Sequence, residues 1–232
     1  MKILVVDVGG TNVKLLATGQ EERRKFASGK TLTPDEMVEG VIRVAEDWEW
    51  DVVTVGIPAP VRRGHALLDP RNLGPGWKGF NFALAFGKPT KVINDAAMQA
   101  LGSYEGGTML FLGLGTGLGS ALVDEGHGEQ GHIIPLELAH LPFRQGTFED
   151  YLGERGLEKF GRRRWKDFVF EAVDLLRLAL VAEYVVIGGG NVKKLGSLPS
   201  LARMGSNLHA FLGGYRLWEA AATLGPAAQG LE

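Results

Sequence analysis

Four apolar runs along the chain each end on glycine, and segments with helical periodicity separate them. The runs are ILVVDVGG, DVVTVGIPAP, TMLFLGLGTG and EYVVIGGG, at residues 3–10, 51–60, 108–117 and 183–190. Uninterrupted apolar runs of this length predict buried strands, and strands that alternate with helices predict an α/β fold. Ligands in such folds gather where strands end in glycine-rich turns.

Two segments have apolar residues at helical spacing. TPDEMVEGVIRVAEDW (residues 33–48) offers Thr33 as a cap, Pro34 in the first turn and Glu36 to complete a capping box. The positions predicted to share its buried face are Val38, Val41, Ile42, Ala45 and Trp48. RWKDFVFEAVDLLRLALVAEY (residues 164–184) predicts a second helix, whose buried face is formed by Trp165, Phe168, Val169, Ala172, Leu176 and Leu180.

The glycine-ended runs also indicate two related halves. Two of them precede residue 60 and two follow residue 108. The first predicted hairpin and LFLGLGTGLGSALV share the order strand, glycine and threonine turn, strand, which is a weak internal repeat. We therefore expect two lobes, with the hinge near the residues after Asp95.

Composition narrows the function classes. The chain has 232 residues, 45% of them hydrophobic, which is enough for a substantial core. Lys and Arg number 25 against 27 acidic residues, so no global field steers the protein to nucleic acid or to an anionic membrane. Asp7 interrupts the first apolar run too early for a signal peptide, and the later run LLRLALVAEYVVI is too short to span a bilayer. We expect a cytoplasmic protein.

Two glycine turns are candidates for phosphate binding. Gly9 and Gly10 permit the backbone angles of a hairpin, but a hairpin does not explain Asp7, whose carboxylate at a strand end suits a hydrated cation. GLGTGLGS (residues 113–120) has more glycines than a hairpin needs, and exposed N–H groups in such turns bind phosphate oxygens. GPGWKG (residues 74–79) matches a dinucleotide fingerprint but lacks the strand before it, so we reject that interpretation.

Polar residues elsewhere have two interpretations each. Asn94 and Asp95 follow a short apolar run, where either one can cap a helix, while a carboxylate there can also accept a proton from a substrate hydroxyl. Glu137, His140 and Glu149 are either surface charges or groups that hold sugar hydroxyls.

Three histidines and the basic run raise further possibilities. His127, His132 and His140 lie near Glu129 and Glu137, but their spacing matches no standard zinc arrangement and the chain has no cysteine. GRRRWK (residues 161–166) is either a solvated helix start or a binding patch for a polyanion such as polyphosphate.

Six motifs in register resemble the ROK family of sugar kinases, within the actin-like ATPase superfamily. They are DVGGTNVK, GIPAPV, NDA, GLGTGLGSAL, ELAH and IGGGNVKK, and TFEDYLG resembles the polyphosphate and ATP glucokinases of that family. The resemblance implies an α/β fold with two ribonuclease-H-like lobes around a central cleft. Residues 1–97 would form the N-terminal lobe, with a C-terminal helix at about 213–232 packed back on it, and residues 98–212 the C-terminal lobe.

The resemblance also implies transfer of a phosphoryl group from ATP or polyphosphate to the 6-hydroxyl of a hexose, most simply glucose. Asp95 matches the catalytic base, and the substrate-binding positions are Asn72, Asn94, Asp95, Glu137, His140 and Glu149. Asp7 would organise Mg²⁺, and the donor-binding positions are Asp7, Gly9, Gly10, Thr11, Lys14, Gly115, Thr116, Gly117, Gly188, Gly189 and Gly190. The family resemblance further implies a homodimer.

This chain departs from the family pattern in three places. It has no cysteine, so the family's zinc is not expected. Ala59 replaces the last glycine of the GxPG turn, and the GHGEQGHII segment is longer than usual. Three alternatives stay open. The protein could be a sugar-responsive regulator, a non-catalytic sugar-binding protein, or a kinase for N-acetylmannosamine or fructose. The regulator is disfavoured because no helix-turn-helix precedes the first run. The donor is also open, because the basic run favours polyphosphate and IGGGNVKK favours a nucleotide.

Overall fold

The computed structural model describes residues 1–125 and 131–223. The chain divides into two compact units. Unit 1 comprises Met1–Met98 together with the described residues from Ala210 onward, and unit 2 comprises Gln99–His209. The histidine and glutamate at 127 and 129, and the predicted helix beyond residue 223, lie outside the described residues. Within the described ranges no helix is long and apolar enough to cross a membrane.

Unit 1 is built on a five-stranded sheet. The strands of this sheet are β1 (Ile3–Val8), β2 (Asn12–Ala17), β3 (Arg24–Ala27), β4 (Val52–Ile57) and β7 (Thr90–Asn94). Two short strands, β5 (Val61–Arg62) and β6 (His65–Ala66), form a separate hairpin. The sheet order is β3-β2-β1-β4-β7. β1, β2 and β3 pair antiparallel, whereas β4 pairs parallel with both β1 and β7. Every residue of β1 and β4 is buried, as their continuous apolar sequence predicts.

Helices α1 (Pro34–Val44), α2 (Phe82–Phe86) and α3 (Asp95–Ser103) follow in sequence. The predicted capping box of α1 is confirmed, since the Thr33 side chain and Glu36 bond each other's backbone N–H. The prediction that Ile42 is buried is wrong, because its side chain is 45% exposed. A Cβ placed on Gly40 would lie 2.7 Å from the Phe26 ring, so α1 packs through its glycine and turns Ile42 toward solvent.

Unit 2 repeats the topology of unit 1. Its strands are β8 (Met109–Leu114), β9 (Leu118–Asp124), β10 (His132–Leu136), β11 (Pro142–Phe143), β12 (Gly146–Thr147), β13 (Tyr184–Gly188) and β14 (Ala202–Met204). The five-stranded sheet has the order β10-β9-β8-β13-β14. β8, β9 and β10 pair antiparallel, and β13 pairs parallel with β8 and β14. Both sheets therefore consist of an antiparallel three-strand meander beside two parallel strands, as the similarity of the two hairpins predicts.

Helices α4 (Phe148–Leu152) and α5 (Glu154–Ala179) cover the sheet of unit 2. α5 consists of two helical stretches that meet at Gly161, whose φ is 74°, and the second stretch begins within the basic run, which confirms the predicted helix start there. A Cβ on Gly156 would lie 2.3 Å from the Tyr151 carbonyl oxygen, so this glycine allows α4 and α5 to approach closely. The predicted apolar face is confirmed except at Leu180, which follows the helix and is half-buried.

Helix α6 (His209–Thr223) packs on the sheet of unit 1 through its described residues. A Cβ on Gly214 would lie 2.4 Å from Val5 Cγ1 of β1, so the helix backbone and the strand are in close contact. Buried Thr54 on β4 donates to the Gly214 carbonyl at 2.8 Å and accepts from Trp218 Nε1 at 2.9 Å. Lys91 on β7 lies over the Trp218 ring and donates to the Leu217 carbonyl.

Candidate functional site

A buried carboxylate lies at the end of the central strand of unit 1. Asp7 on β1 is 4% exposed, and its neighbours in the sheet are Lys14 on β2 and Gly56 on β4. Lys14 Nζ donates to Asp7 Oδ2 at 2.9 Å. A carboxylate in this environment requires a partner because burial removes its hydration, and the ammonium group of Lys14 supplies it.

The turn between β1 and β2 is formed by Gly9, Gly10 and Thr11, and we call it the first turn. The predicted hairpin is present, and it forms without a positive φ at Gly9 or Gly10. A Cβ on Gly10 would lie 3.2 Å from Asn72 Cβ, which is a tight contact that favours glycine at this position. This contact places Asn72, predicted to bind substrate, against the first turn.

Ser28 fixes the orientation of the first turn. Its hydroxyl donates to the Gly9 carbonyl at 2.5 Å, and its backbone N–H donates to the Thr11 carbonyl at 3.0 Å. The C=O and N–H of a trans peptide point in opposite directions. The N–H of Gly10 therefore points away from Ser28, as an anion-binding turn requires.

Asn94 and Asp95 lie at the same edge of the sheet as Asp7. β1, β4 and β7 are parallel neighbours, with Asp7 beside Gly56 and Ile57 beside Asn94. Asn94 Oδ1 accepts from Ala97 N at 3.1 Å, which makes it the cap of α3, and its Nδ2 donates to the Ala59 carbonyl at 3.2 Å. We call the sheet edge where β1, β4 and β7 end, which carries Asp7, Asn94 and Asp95, the carboxyl edge of unit 1.

The first residue of α3 is held close to this edge. Asp95 Oδ1 accepts from Ala96 N at 2.8 Å. A Cβ on Gly56 would lie 2.2 Å from Met98 Cε and 3.6 Å from Asp95 Cα, so glycine in the GIPA segment allows α3 to pack over β4. Ala59 is buried, and its carbonyl is engaged by Asn94. Ala59, which replaces the family's glycine, therefore takes part in the hydrogen bonds at the carboxyl edge.

The turn between β8 and β9, formed by Gly115, Thr116 and Gly117, is the second turn. Glu154 N donates to the carbonyls of Gly115 at 3.1 Å and Thr116 at 3.3 Å, and Asn191 Nδ2 also donates to the Gly115 carbonyl at 3.1 Å. Because these carbonyls face α5 and Asn191, the N–H groups of Thr116 and Gly117 point the other way. The second turn therefore also presents N–H groups suited to an anion.

The three glycines after β13 have different environments. A Cβ on Gly188 would lie 2.7 Å from the Phe111 ring, and one on Gly189 would lie 2.3 Å from the Leu114 carbonyl oxygen. Gly189 also has a φ of 85°, which favours glycine. A Cβ on Gly190 would meet nothing within 4 Å. Packing therefore accounts for Gly188 and Gly189, and only Gly190 has open space beside it.

The residues predicted to hold sugar hydroxyls separate into a pair and a single carboxylate. His140 Nε2 lies 3.8 Å from Glu137 Oε2, and both side chains are about half exposed. Glu149, at the start of α4, lies beside the second turn, because a Cβ on Gly117 would be 2.5 Å from Glu149 Oε2. Phe148 N donates to the Leu141 carbonyl, which links α4 to the segment that carries His140.

The basic run lies beside the segment that follows the three glycines. Arg162 Nε donates to the Lys194 carbonyl at 2.5 Å, and Lys166 Nζ donates to Ser197 Oγ at 2.6 Å. Lys193 and Lys194 are exposed on the short 3-10 helix Val192–Leu195. These four residues form a basic cluster in unit 2, and the run itself begins the straight part of α5 after its bend at Gly161.

Two further observations concern metals and residues that the sequence did not single out. In residues 1–125 and 131–223, no three His, Asp or Glu side chains converge as metal ligands. Mg²⁺ typically takes only one or two carboxylates together with substrate phosphates and water, so a single carboxylate such as Asp7 is compatible with the predicted Mg²⁺. Sequence reasoning missed Ser28, Glu154 and Asn191, which orient the two turns. Of these, only Asn191 carries a signal, because it directly follows a glycine run.

Comparisons with known proteins find similar sugar kinases. Polyphosphate glucokinase from Mycobacterium tuberculosis is 26% identical over 211 residues, covering 82% of this chain and 77% of that protein. The inorganic polyphosphate/ATP-glucomannokinase of Arthrobacter sp. strain KM superimposes with a TM-score of 0.79 at 21% identity, covering 95% of this chain and 99% of that one. No model of a known protein family matches the chain.

A ROK family glucokinase from Streptomyces griseus, solved with glucose and AMPPNP, superimposes with a TM-score of 0.69 at 16% identity over 94% of this chain and 99% of that one. These likenesses confirm the resemblance. The chain is a homologue of polyphosphate glucokinase, and its fold is that of the solved ROK hexokinase-type sugar kinases.

Proposed function

We propose that the protein is a hexokinase-type phosphotransferase that phosphorylates the 6-hydroxyl of glucose. The observation that carries this proposal is the carboxyl edge of unit 1, where Asp7 and the Asn94–Asp95 pair lie at the ends of parallel strands of one sheet. Phosphoryl transfer requires mainly alignment and charge neutralisation, and an acceptor hydroxyl also requires a base. The similarity to a polyphosphate glucokinase supports the same reaction.

Asp95 is proposed as the base that takes the proton of the sugar hydroxyl. Its backbone is positioned by the packing of α3 over Gly56, and its neighbour Asn94 is fixed by two hydrogen bonds. A base held in this way loses little conformational freedom when the sugar binds. Asn72, Glu137, His140 and Glu149 are proposed to bind the remaining hydroxyls, because paired polar groups discriminate sugars in a way that an apolar pocket does not.

The two turns are proposed to bind phosphate groups of the donor. In each turn, hydrogen bonds to the carbonyls direct backbone N–H groups away from the residues that donate those bonds. Asp7 Oδ2 is engaged by Lys14, so its other oxygen would hold hydrated Mg²⁺, with Lys14 beside it to contact phosphate. When bound, Mg²⁺ neutralises charge on the transferring phosphoryl group. No zinc is proposed, because the chain has no cysteine.

Polyphosphate is the donor that we propose. Packing against Phe111 and Leu114 accounts for Gly188 and Gly189, so two of the three glycines assigned to adenosine need no nucleotide to explain them. Asn191 connects the second turn to the segment that carries Lys193 and Lys194, which extends positive charge away from the turn. A repeated anion such as polyphosphate matches a row of cations better than a nucleoside does.

The deciding experiment measures sugar phosphate formation with each donor separately. Purified protein is incubated with glucose, mannose, fructose or N-acetylmannosamine, and with ATP or polyphosphate, and the product is detected without a coupling enzyme that depends on either donor. We expect the highest kcat/KM with glucose and polyphosphate. Higher kcat/KM with ATP would contradict the donor assignment alone. No turnover with any pair would overturn the kinase proposal and leave a sugar-binding protein.

A further inference from the structure

An electrostatic conflict exists at the second turn. Glu149 Oε2 lies only 2.5 Å from the position that a Cβ on Gly117 would occupy. The Glu149 side chain is only 20% exposed. A carboxylate this close to a phosphate-binding turn repels the phosphate, and partial burial weakens the screening by water. A cation beside Glu149 would offset this repulsion.

Arg155 is the cation in that position. Its Nη2 lies 3.3 Å from Glu149 Oε1, and its side chain is 72% exposed, so most of the guanidinium is open to solvent. Its backbone is also fixed relative to the turn, because the preceding residue, Glu154, donates its N–H to the carbonyls of Gly115 and Thr116. Arg155 thus starts from the same short helical segment that orients the turn.

We propose that Arg155 binds a phosphate group of the donor at the second turn while it remains paired with Glu149. This inference rests on the proposed kinase function and adds a donor-binding residue to it. A guanidinium has five N–H donors in a planar arrangement, so one edge can bond a carboxylate while another bonds phosphate oxygens. The pairing also offsets the negative charge of Glu149 beside the turn.

The proposal makes a specific distinction between donor and sugar kinetics. Arg155→Ala removes the phosphate contact and exposes the donor to the Glu149 charge, so kcat/KM for the donor should fall by roughly tenfold or more. KM for glucose should change by less than about threefold, because Glu149 keeps its place beside Gly117. Arg155→Lys keeps the charge but not the planar donor set, and should recover only part of the loss.

The test compares the wild type, both Arg155 variants and Arg23→Ala, with thermal unfolding as a check on folding. Arg23 is exposed in unit 1 and lies outside the proposed site, which makes it a matched control. Tripolyphosphate binding by calorimetry gives a second readout that needs no turnover. A raised glucose KM with unchanged donor kinetics would show that Arg155 only positions Glu149 and would overturn the proposal, as would unchanged donor kinetics and unchanged tripolyphosphate affinity. Absence of wild-type turnover would instead count against the kinase function.

Discussion

Lys14 Nζ donates a 2.9 Å hydrogen bond to Asp7 Oδ2 across neighbouring strands, and the two side chains differ in exposure. The Asp7 side chain is 6% exposed and the Lys14 side chain 30%. The partly exposed lysine therefore donates to a carboxylate that is almost completely buried. The pair serves the fold as well as the site, because the carboxylate depends on the lysine for its remaining solvation.

Lys14→Met should destabilise unit 1 because it leaves Asp7 buried without a cation. We expect the free energy of unfolding to fall by about 1–3 kcal/mol, below the full value for a wholly buried pair because Lys14 is partly exposed. Adding Asp7→Asn to Lys14→Met should recover part of that loss, since the charge is then gone. Urea unfolding measures both variants. Lys2→Met, which breaks an exposed ion pair with Glu49, is the control and should have a far smaller effect.

Asp95→Asn should abolish most turnover while leaving the fold intact. The amide has the same shape, and its oxygen can still accept from Ala96 N, but it does not take a proton. We expect kcat to fall by roughly 100-fold to 10,000-fold, with sugar affinity nearly unchanged. Single-turnover kinetics and glucose calorimetry separate the two effects. Near-normal turnover with intact sugar binding would show that another group is the base.

The sequence predicted correctly those features that depend on neighbours in the chain. The capping box at Thr33, both glycine hairpins and the Asn94 cap of α3 each need only a few consecutive residues to recognise. The shared edge of the parallel strands in unit 1 was also predictable. Strands that alternate with helices run parallel, so their carboxyl ends lie at the same edge of the sheet.

Several glycines make tertiary contacts with residues that lie far away in the chain. Gly10 faces Asn72, Gly40 faces Phe26, and Gly189 faces Leu114. In one sequence a glycine required by a tertiary contact looks the same as a glycine that supplies a turn or ends a helix. Ile42 was wrongly assigned to the buried face of α1 for this reason, since Gly40 is the position that contacts Phe26.

Stability at acid pH should depend on Asp47. Hydrogen bonds from the Arg24 guanidinium lower the pKa of this carboxyl from 3.8 to about 2, against a smaller opposing effect of burial. The unfolded chain therefore takes up the proton first, so this contribution to stability is present above about pH 4 and is lost as the pH falls through about 2.

Asp47→Asn should flatten the dependence of the unfolding free energy on pH in that window, which urea unfolding at a series of pH values measures. Asp174→Asn changes an exposed aspartate on α5 and serves as the control. An equal slope in the wild type and Asp47→Asn would contradict the prediction.

Thr54→Val should loosen α6 from unit 1. The substitution keeps the shape of the side chain but removes the acceptor of Trp218 Nε1 and the donor to the Gly214 carbonyl. Leaving such groups unpaired in a buried position costs about 1–3 kcal/mol. Thr90→Val, whose hydroxyl bonds an exposed carbonyl near the start of β7, should change stability by less than about 0.5 kcal/mol. Equal unfolding midpoints for the two variants would argue against a role of Thr54 in holding the helix.

Gly189→Ala and Gly190→Ala test whether the glycines after β13 are retained for packing. An alanine at 189 places its Cβ 2.3 Å from the Leu114 carbonyl oxygen and adopts a φ of 85°, so backbone has to move and the residue is strained. We expect a loss of about 3 kcal/mol or more, combining overpacking with the left-handed conformation. An alanine at 190 meets nothing within 4 Å and should change the unfolding free energy by less than about 1 kcal/mol. Thermal and urea unfolding of the pair measure the difference, and equal stability would mean that Gly189 is retained for ligand contact rather than for the fold.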